Sequence, residues 1–265
     1  MSERLKDTVE TVMLELPNEI FSKFSSILSV VSKMCTDLTI QDGIICQASD
    51  RRSSIISIDM STLLGEATVL ISGVSSKVDL LEPFKKQSVD VQLEIGNRFY
   101  TFQDNYSKLE FAKPVEEYLN NRFISSDDLQ TKLSVAKDGR VFEYQISKFL
   151  IERLVALQRG LAASTIRFEF MGNRVQVVIS ASDNPSTTTI GKLITINDID
   201  REIRGTCVFP IQPFLMGGDR IDVECIFRND GENVLLKLNT LVDEIPINIW
   251  CIAKLVVEED EDTPF

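Results

Sequence analysis

The side chains that most often carry chemistry are missing from this chain or badly spaced in it. There is no histidine, which removes the commonest general base, the usual zinc ligand and any Ser–His or Cys–His nucleophile pair. The five cysteines, Cys35, Cys46, Cys207, Cys225 and Cys251, nowhere form a CxxC pair. They read as free, mostly buried thiols rather than as a structural zinc site. No P-loop occurs, and no GxGxxG follows a strand. Asp50-Arg51-Arg52 reads as a turn aspartate followed by arginines that face solvent or phosphate. The expectation is a chain without catalytic residues, metal or cofactor, and therefore not an enzyme.

The remaining chemistry is charge. Lys and Arg number 28 against 40 Asp and Glu, a formal net charge of −12, which by itself argues against a nucleic-acid partner. Location matters more than the sum. Glu258 to Asp262 are all acidic, a solvated end that keeps a protein soluble. Many cations fall instead on or beside predicted helices. Ile20, Phe21, Phe24, Ile27, Leu28, Val31 and Met34 form one apolar helical stripe after a plausible N-cap at Asn18. The opposite face is Ser22, Ser25, Ser26, Ser29, Ser32 and Lys33, with Lys23 on its flank, and reads either as a solvated face or as a smooth, weakly basic surface. A second helix over about 74–86 carries Lys77, Lys85 and Lys86, and Pro83 should kink or end it. A third, capped by Ser147, buries Leu150, Ile151, Leu154, Leu157 and Leu161 and turns Lys148, Glu152 and Arg159 away, with Arg153 on the border. A fourth, short candidate spans Gln212–Met216, with Arg220 just beyond.

Between the helices the pattern alternates as strands do. Asp42-Gly43 marks a hairpin turn after Leu38-Thr39-Ile40. Further strands are expected at Ile44–Ala48, Ser54–Ile58, Val69–Ser72, Val89–Ile95, Phe99–Phe102, Leu109–Phe111, Val141–Ile146, Thr165–Phe170, Arg174–Ser180, Leu193–Ile196, Cys207–Pro210, Ile221–Phe227, Val234–Leu238 and Ile245–Val257. From about Lys113 to Asp138 the periodicity fails, and a long connector with at most a short helical turn is expected. The programme then restarts. Ile20, Phe21, Phe24, Ile27 and Val31 fall on Leu150, Ile151, Leu154, Leu157 and Leu161 at a constant offset, and Ala48-Ser49-Asp50 on Ala181-Ser182-Asp183. This is an internal repeat. It divides the chain into residues 1–112, a connector 113–138, residues 139–257 and an acidic tail 258–265.

Two similar α+β halves joined by a connector resemble the DNA sliding-clamp family, the ring-shaped polymerase processivity factors. Gly43-Ile44-Ile45-Cys46-Gln47-Ala48-Ser49-Asp50 is similar to that family's first-domain strand-and-loop motif. Leu157-Gln158-Arg159-Gly160-Leu161 followed by Thr165-Ile166 is similar to second-domain helices of phage clamps. Trp250-Cys251-Ile252-Ala253-Lys254-Leu255 before an acidic tail resembles the eukaryotic and archaeal C-terminus. The connector and the Thr263-Pro264-Phe265 end depart from it.

The resemblance implies a clamp fold with antiparallel sheets outside and two helices inside each domain, assembled as a homotrimer that encircles duplex DNA. Twelve helices at roughly 9–10 Å spacing enclose a hole of about 25–28 Å, wide enough for a duplex. Lys23, Lys33, Lys77, Lys85, Lys86, Lys148, Arg153, Arg159 and Arg220 would meet phosphates without reading bases. Partner peptides from a DNA polymerase or a clamp-loader ATPase would dock near Ser49, Leu119, Phe123, Ile124, Ala253 and Leu255, although packing of the connector onto the sheet accounts for Leu119, Phe123 and Ile124 equally well. Edge strands near Lys108–Ala112 and Thr188–Ile194, with Leu109, Phe111, Ile190 and Leu193, would pair between subunits. The alternative is a non-ring or heteromeric clamp-fold processivity or checkpoint subunit. An N-terminus without an apolar leader and the lack of a long apolar run imply an intracellular protein. Its place would be the cytoplasm of a prokaryote or infected host cell, or a nucleus.

Overall fold

A computed structural model of the chain describes residues 11–87, 89–114, 123–133, 135–180, 190–216, 218–228 and 232–257. The elements in order are β1 (Val12–Leu16), α1 (Asn18–Val31), β2 (Leu38–Gln41), β3 (Ile44–Ala48), β4 (Ser54–Asp59), α2 (Ser61–Leu64), β5 (Val69–Ile71), α3 (Val74–Gln87), β6 (Val91–Ile95), β7 (Phe99–Gln103) and β8 (Lys108–Ala112). Then follow α4 (Ser126–Lys132), β9 (Val135–Ser147), α5 (Lys148–Leu161), β10 (Thr165–Gly172), β11 (Arg174–Ser180), β12 (Ile190–Asn197), β13 (Ile203–Pro210), a 3-10 turn (Gln212–Leu215), β14 (Arg220–Arg228), β15 (Asn233–Val242) and β16 (Ile245–Lys254). The chain forms two compact units. One comprises residues up to Ile45 and Asp59–Phe123, the other Cys46–Ile58 and residues from Ile124 onward.

In the first unit the antiparallel sheet β1-β6-β7-β8 carries the core. Phe21 and Phe24 of α1, Phe84 of α3, and Phe102 and Phe111 of the sheet form an aromatic cluster, with Phe21–Phe102 centroids 6.3 Å and Phe102–Phe111 5.7 Å apart. Such tilted and edge-on pairs add about 0.5–1.5 kcal/mol each beyond area burial. The serines of α1 have a packing reason. Ser25 is buried, and Ser26 Oγ lies 3.0 Å from Lys85 Nζ of α3, so small side chains let the second helix approach. Asn18 is the first helical residue and not the cap. Pro17 holds that position without a side-chain bond, and the Asn18 N–H donates to Asp90 Oδ1 at 2.9 Å. Pro83 does not end α3. It is exposed, as is Asp79 four residues earlier, so solvent can take the carbonyl left without a helical partner. The strands β5-β2-β3 also pair. Asp42 (φ 51°) and Gly43 (φ 74°) supply the two left-handed residues of the β2–β3 turn. A Cβ on Gly43 would lie 2.2 Å from the Gly65 carbonyl oxygen.

The second unit is a sandwich. The sheet β12-β11-β10-β13 faces the strand run β4-β16-β15-β14-β9. Phe168 of the first layer stacks on Phe142 of the second, 6.3 Å between centroids and 13° between planes. In the run, Phe142, Val223, Leu238, Ile249 and Ile56 point inward and are buried. Tyr144, opposite Val223, shares the inward phase and is half-buried, and Asn239 and Trp250 on the other face are half-buried too.

The repeat is structural as well as sequential. Helices α1 and α5 have 14 residues each and start 130 residues apart (148 − 18). The pairing order β1-β6-β7-β8 recurs as β9-β14-β15-β16, and β5-β2-β3-β4 recurs as β13-β10-β11-β12. The second half differs in one element. Where the first has the 14-residue α3, the second has only the 3-10 turn Gln212–Leu215, with β14 beginning at Arg220. Ala181, Ser182 and Asp183 lie outside the described residues. Strand β1 escaped the sequence reading because four of its five residues, VMLEL, are apolar and give no alternation. The connector contains the helix α4, capped by Ser125, whose Oγ accepts from the Asp128 N–H, and β9 begins well before Val141.

Candidate nucleic-acid and partner surfaces

The nine cations expected to face phosphate are not equivalent. On α1, Lys23 is half-buried and pairs with Glu19 at 3.1 Å, a helical i,i+4 contact. Lys33 follows the helix and is exposed. Lys77 is turned toward its own unit. It is half-buried, donates to the Ser72 carbonyl, and stands over the Phe111 ring at 5.4 Å. Burial draws its pKa below the ordinary lysine value, against the pull of Asp37. Lys85 reaches Ser26, and Lys86 is exposed.

In the second unit, Lys148, Arg153 and Arg159 are exposed on α5. Lys148 pairs with Asp219 at 2.8 Å, and that hydrogen bond raises its pKa. Arg153 donates to the Lys192 carbonyl at 3.2 Å. Arg220 opens β14 and lies 3.3 Å from Asp222. Phe149 stands out of the same helix at 70% exposure.

The sheet-edge expectations resolve into backbone and side-chain parts. β8 and β12 each lie at the end of a four-stranded order. Leu109 is half-buried, and Phe111 and Leu193 are buried, all within their own units. Of Ile190 only its place in β12 is described. The bonds Asp104 N–H to Ser107 O (3.0 Å) and Lys113 N–H to Arg98 O (2.7 Å) fix the alternation of the β7–β8 ladder. Leu109 and Phe111 therefore bond to β7, while the backbone groups of Lys108, Glu110 and Ala112 face the open edge.

Of the residues expected to bind partner peptides, Ser49, Ala253 and Leu255 gather around one end of β16. Ser49 is buried, with its Oγ 3.0 Å from that of Ser54. Ser54 is opposite Cys251, and the Ile252 N–H donates to the Ser53 carbonyl at 3.3 Å. Ile124 is buried, and its N–H donates to the Cys46 carbonyl at 2.7 Å, so this part of the connector packs on the sheet. Phe123 is half-buried. Leu119 lies outside the described residues. Ala253 shares the inward phase of Cys251. Leu255 packs on Gly205, where an added Cβ would meet Leu255 Cδ1 at 3.1 Å and the Val256 carbonyl oxygen at 2.6 Å. Val256 and Thr206 exchange backbone bonds of 2.8 and 2.9 Å.

The outward positions of β16 near this end are Trp250 and Ile252, both half-buried. Trp250 is opposite Ile55, and Ile252 is opposite Leu235, itself opposite Ile226. Ile55 and Leu235 are buried, whereas Trp250, Ile252 and Ile226 are half-buried and were not among the expected partner residues. The signal was available: period-two alternation from Ile249 and Cys251 puts Trp250 and Ile252 on the other face. Among the described residues no group of three or more His, Cys, Asp or Glu side chains could hold a metal ion, and no helix is long and apolar enough to cross a membrane. All five cysteines are buried and none forms a disulfide.

No family model matches the sequence, and no curated protein does. Solved structures do match in fold. The chain is similar to proliferating cellular nuclear antigen (PCNA) from Entamoeba histolytica, with a TM-score of 0.56 and 11% identity over 91% of this chain and 98% of that one. It is similar to a chain of the PCNA2–PCNA3 complex from Sulfolobus tokodaii, with a TM-score of 0.52 and 14% identity over 91% and 99%. It is also similar to the structure of the C-terminal region of FEN-1 bound to A. fulgidus PCNA, with a TM-score of 0.54 and 7% identity over 94% and 99%. The mixed α+β architecture with antiparallel sheets is the PCNA-like sliding-clamp fold.

Proposed function

We propose that this chain is a sliding clamp of phage or PCNA-like kind, a non-catalytic ring that encircles duplex DNA and tethers the replicative polymerase. The observation that carries the reading is the twofold repetition of one strand-pairing order along a chain whose fold matches PCNA over nearly its whole length. In support, exposed Lys86, Arg153 and Arg159 give helices α3 and α5 a cationic character in a chain of net charge −12. Contacts of that kind hold phosphate without reading sequence and permit sliding. Three copies would join through the open backbone edges of β8 and β12, and an ATPase clamp loader would open the ring. The polymerase and loader would dock by short peptides at the end of β16. The protein would act where DNA is copied, in a prokaryotic or infected cytoplasm or in a nucleus.

One observation favours a second reading. A matched solved structure is a complex of two different clamp subunits, so this chain would be one member of a heteromeric ring. Light scattering across a concentration series separates the two readings. A mass approaching three chains supports the homotrimer. A persistent single-chain mass supports the heteromer. Retention of loaded protein on nicked circular DNA, with loss after linearisation, tests encirclement itself.

A further inference from the structure

We infer that Arg51 and Arg52 make the docking surface at the end of β16 selective for partner peptides with carboxylates beside their apolar anchor. The inference rests on the clamp reading above, and it names the chemistry of the partner.

The β3–β4 loop is a fixed display. Ser49 N–H donates to Ser54 O and Arg52 N–H to Ser49 O, both at 2.8 Å. The Ser54 and Ser49 hydroxyls lie 3.0 Å apart, and Arg52 is held in the left-handed region at φ 55°. Both arginines are exposed. Neither enters an ion pair among the described residues. Other cations of this unit have partners, as in Lys254–Glu232, Lys237–Glu224 and Arg140–Asp200. The next residue, Ser53, accepts the Ile252 N–H at 3.3 Å, so the loop tip adjoins the outward apolar positions Trp250 and Ile252. A peptide that sets an aromatic or aliphatic anchor there extends its flank toward two guanidiniums that have no ion-pair partner among the described residues. Carboxylates complement them in bidentate geometry. Exposed pairs of this kind act mainly through association rate and salt-dependent selectivity.

Trp250 is the sole tryptophan, so its fluorescence reports occupancy directly, and calorimetry gives the affinity. Three synthetic peptides share a Phe-Phe anchor and carry three Glu, three Gln or three Lys in the flank. On the full chain at low salt, the Glu peptide should bind about fivefold tighter than the Gln peptide and the Lys peptide more weakly than either. The Glu preference should close in salt on the order of 0.5 M. It should vanish in Arg51→Gln/Arg52→Gln and persist in Arg51→Lys/Arg52→Lys. Equal binding of the Glu and Gln peptides, or a preference that survives Arg51→Gln/Arg52→Gln, overturns the inference and leaves the docking reading standing. Absence of binding by all three peptides overturns both. A preference seen only after neutralising the chain's own run (Glu258→Gln, Glu259→Gln, Asp260→Asn, Glu261→Gln, Asp262→Asn) assigns the arginines to that run and likewise overturns the inference.

Discussion

The Lys77 ammonium lies 5.4 Å from the centre of the Phe111 ring while donating to the Ser72 carbonyl, so a lysine expected to meet DNA is held by its own unit. A half-buried cation–π contact contributes on the order of 1 kcal/mol, and the lysine stem adds packing. Lys77→Ala should lower the thermal midpoint by several degrees. It should change duplex retention far less than a change on the exposed face of α5. A loss of retention without a loss of stability would return Lys77 to the nucleic-acid surface.

Lys148→Ala combined with Arg159→Ala removes two exposed cations from α5. Lys148 has to exchange Asp219 for phosphate, so Arg159 should account for more of the effect. The double variant should weaken duplex association uniformly across sequences and reduce the slope of log affinity against log salt by about 1–2. A salt titration on two unrelated duplexes measures both quantities.

Glu110→Pro and Phe111→Ala should separate assembly from folding. The Glu110 N–H faces the open edge of β8, where proline is tolerated within a chain but blocks pairing with another strand. Light scattering should show loss of the higher mass at unchanged stability. Phe111 is buried against Phe102, and Phe111→Ala should cost about 3–5 kcal/mol in the isolated chain.

Gly205 lies at φ 143° with the Val256 carbonyl 2.6 Å from where a Cβ would stand. Gly205→Ala should cost about 1–3 kcal/mol and loosen Leu255–Val257 from β13. Leu255→Ser should weaken partner-peptide binding by the same loosening and leave duplex retention intact. Calorimetry with a polymerase peptide and retention on circular DNA are the paired measurements.

Burial pushes the Cys207 thiol up to about 12 and drives Cys225 and Cys251 upward as well. At about pH 8 a thiol reagent should label none of the five buried cysteines in the folded chain and all of them in concentrated guanidinium. The unfolded chain releases these protons near the ordinary thiol value of about 8.5, while the folded chain keeps them. Stability should therefore fall as pH rises above that value. Denaturant midpoints between about pH 7 and pH 10 check the sign.

What could be read from the sequence followed periodicity. The stripe from Ile20 to Val31 located α1, and Asp42-Gly43 located a turn with two left-handed residues. The restart after the connector located the repeat. What could not be read depended on neighbours distant in sequence. Nothing local shows that Ser25 is buried or that Ser26 meets Lys85. Lys77 and Lys86 look alike in a list of cations, and only Phe111, more than thirty residues on, sets them apart. On β16, Ala253 and Leu255 were chosen by likeness to other clamps, whereas strand alternation favoured Trp250 and Ile252.

The composition of the second unit has a consequence for how the protein is made. Its strand β4 pairs with β16, Ile58 opposite Ile247, a separation of 189 residues (247 − 58). A ribosome delivers β4 early, but its partner emerges only when synthesis is nearly complete. The first unit's sheet β1-β6-β7-β8 closes over a far shorter stretch. It can fold while the rest is still being translated. Closing a loop that long is entropically slow, so β4 waits with β3 on one side and its β16-facing edge open. The interval before β16 arrives is when the nascent chain is most exposed to aggregation and to chaperone capture.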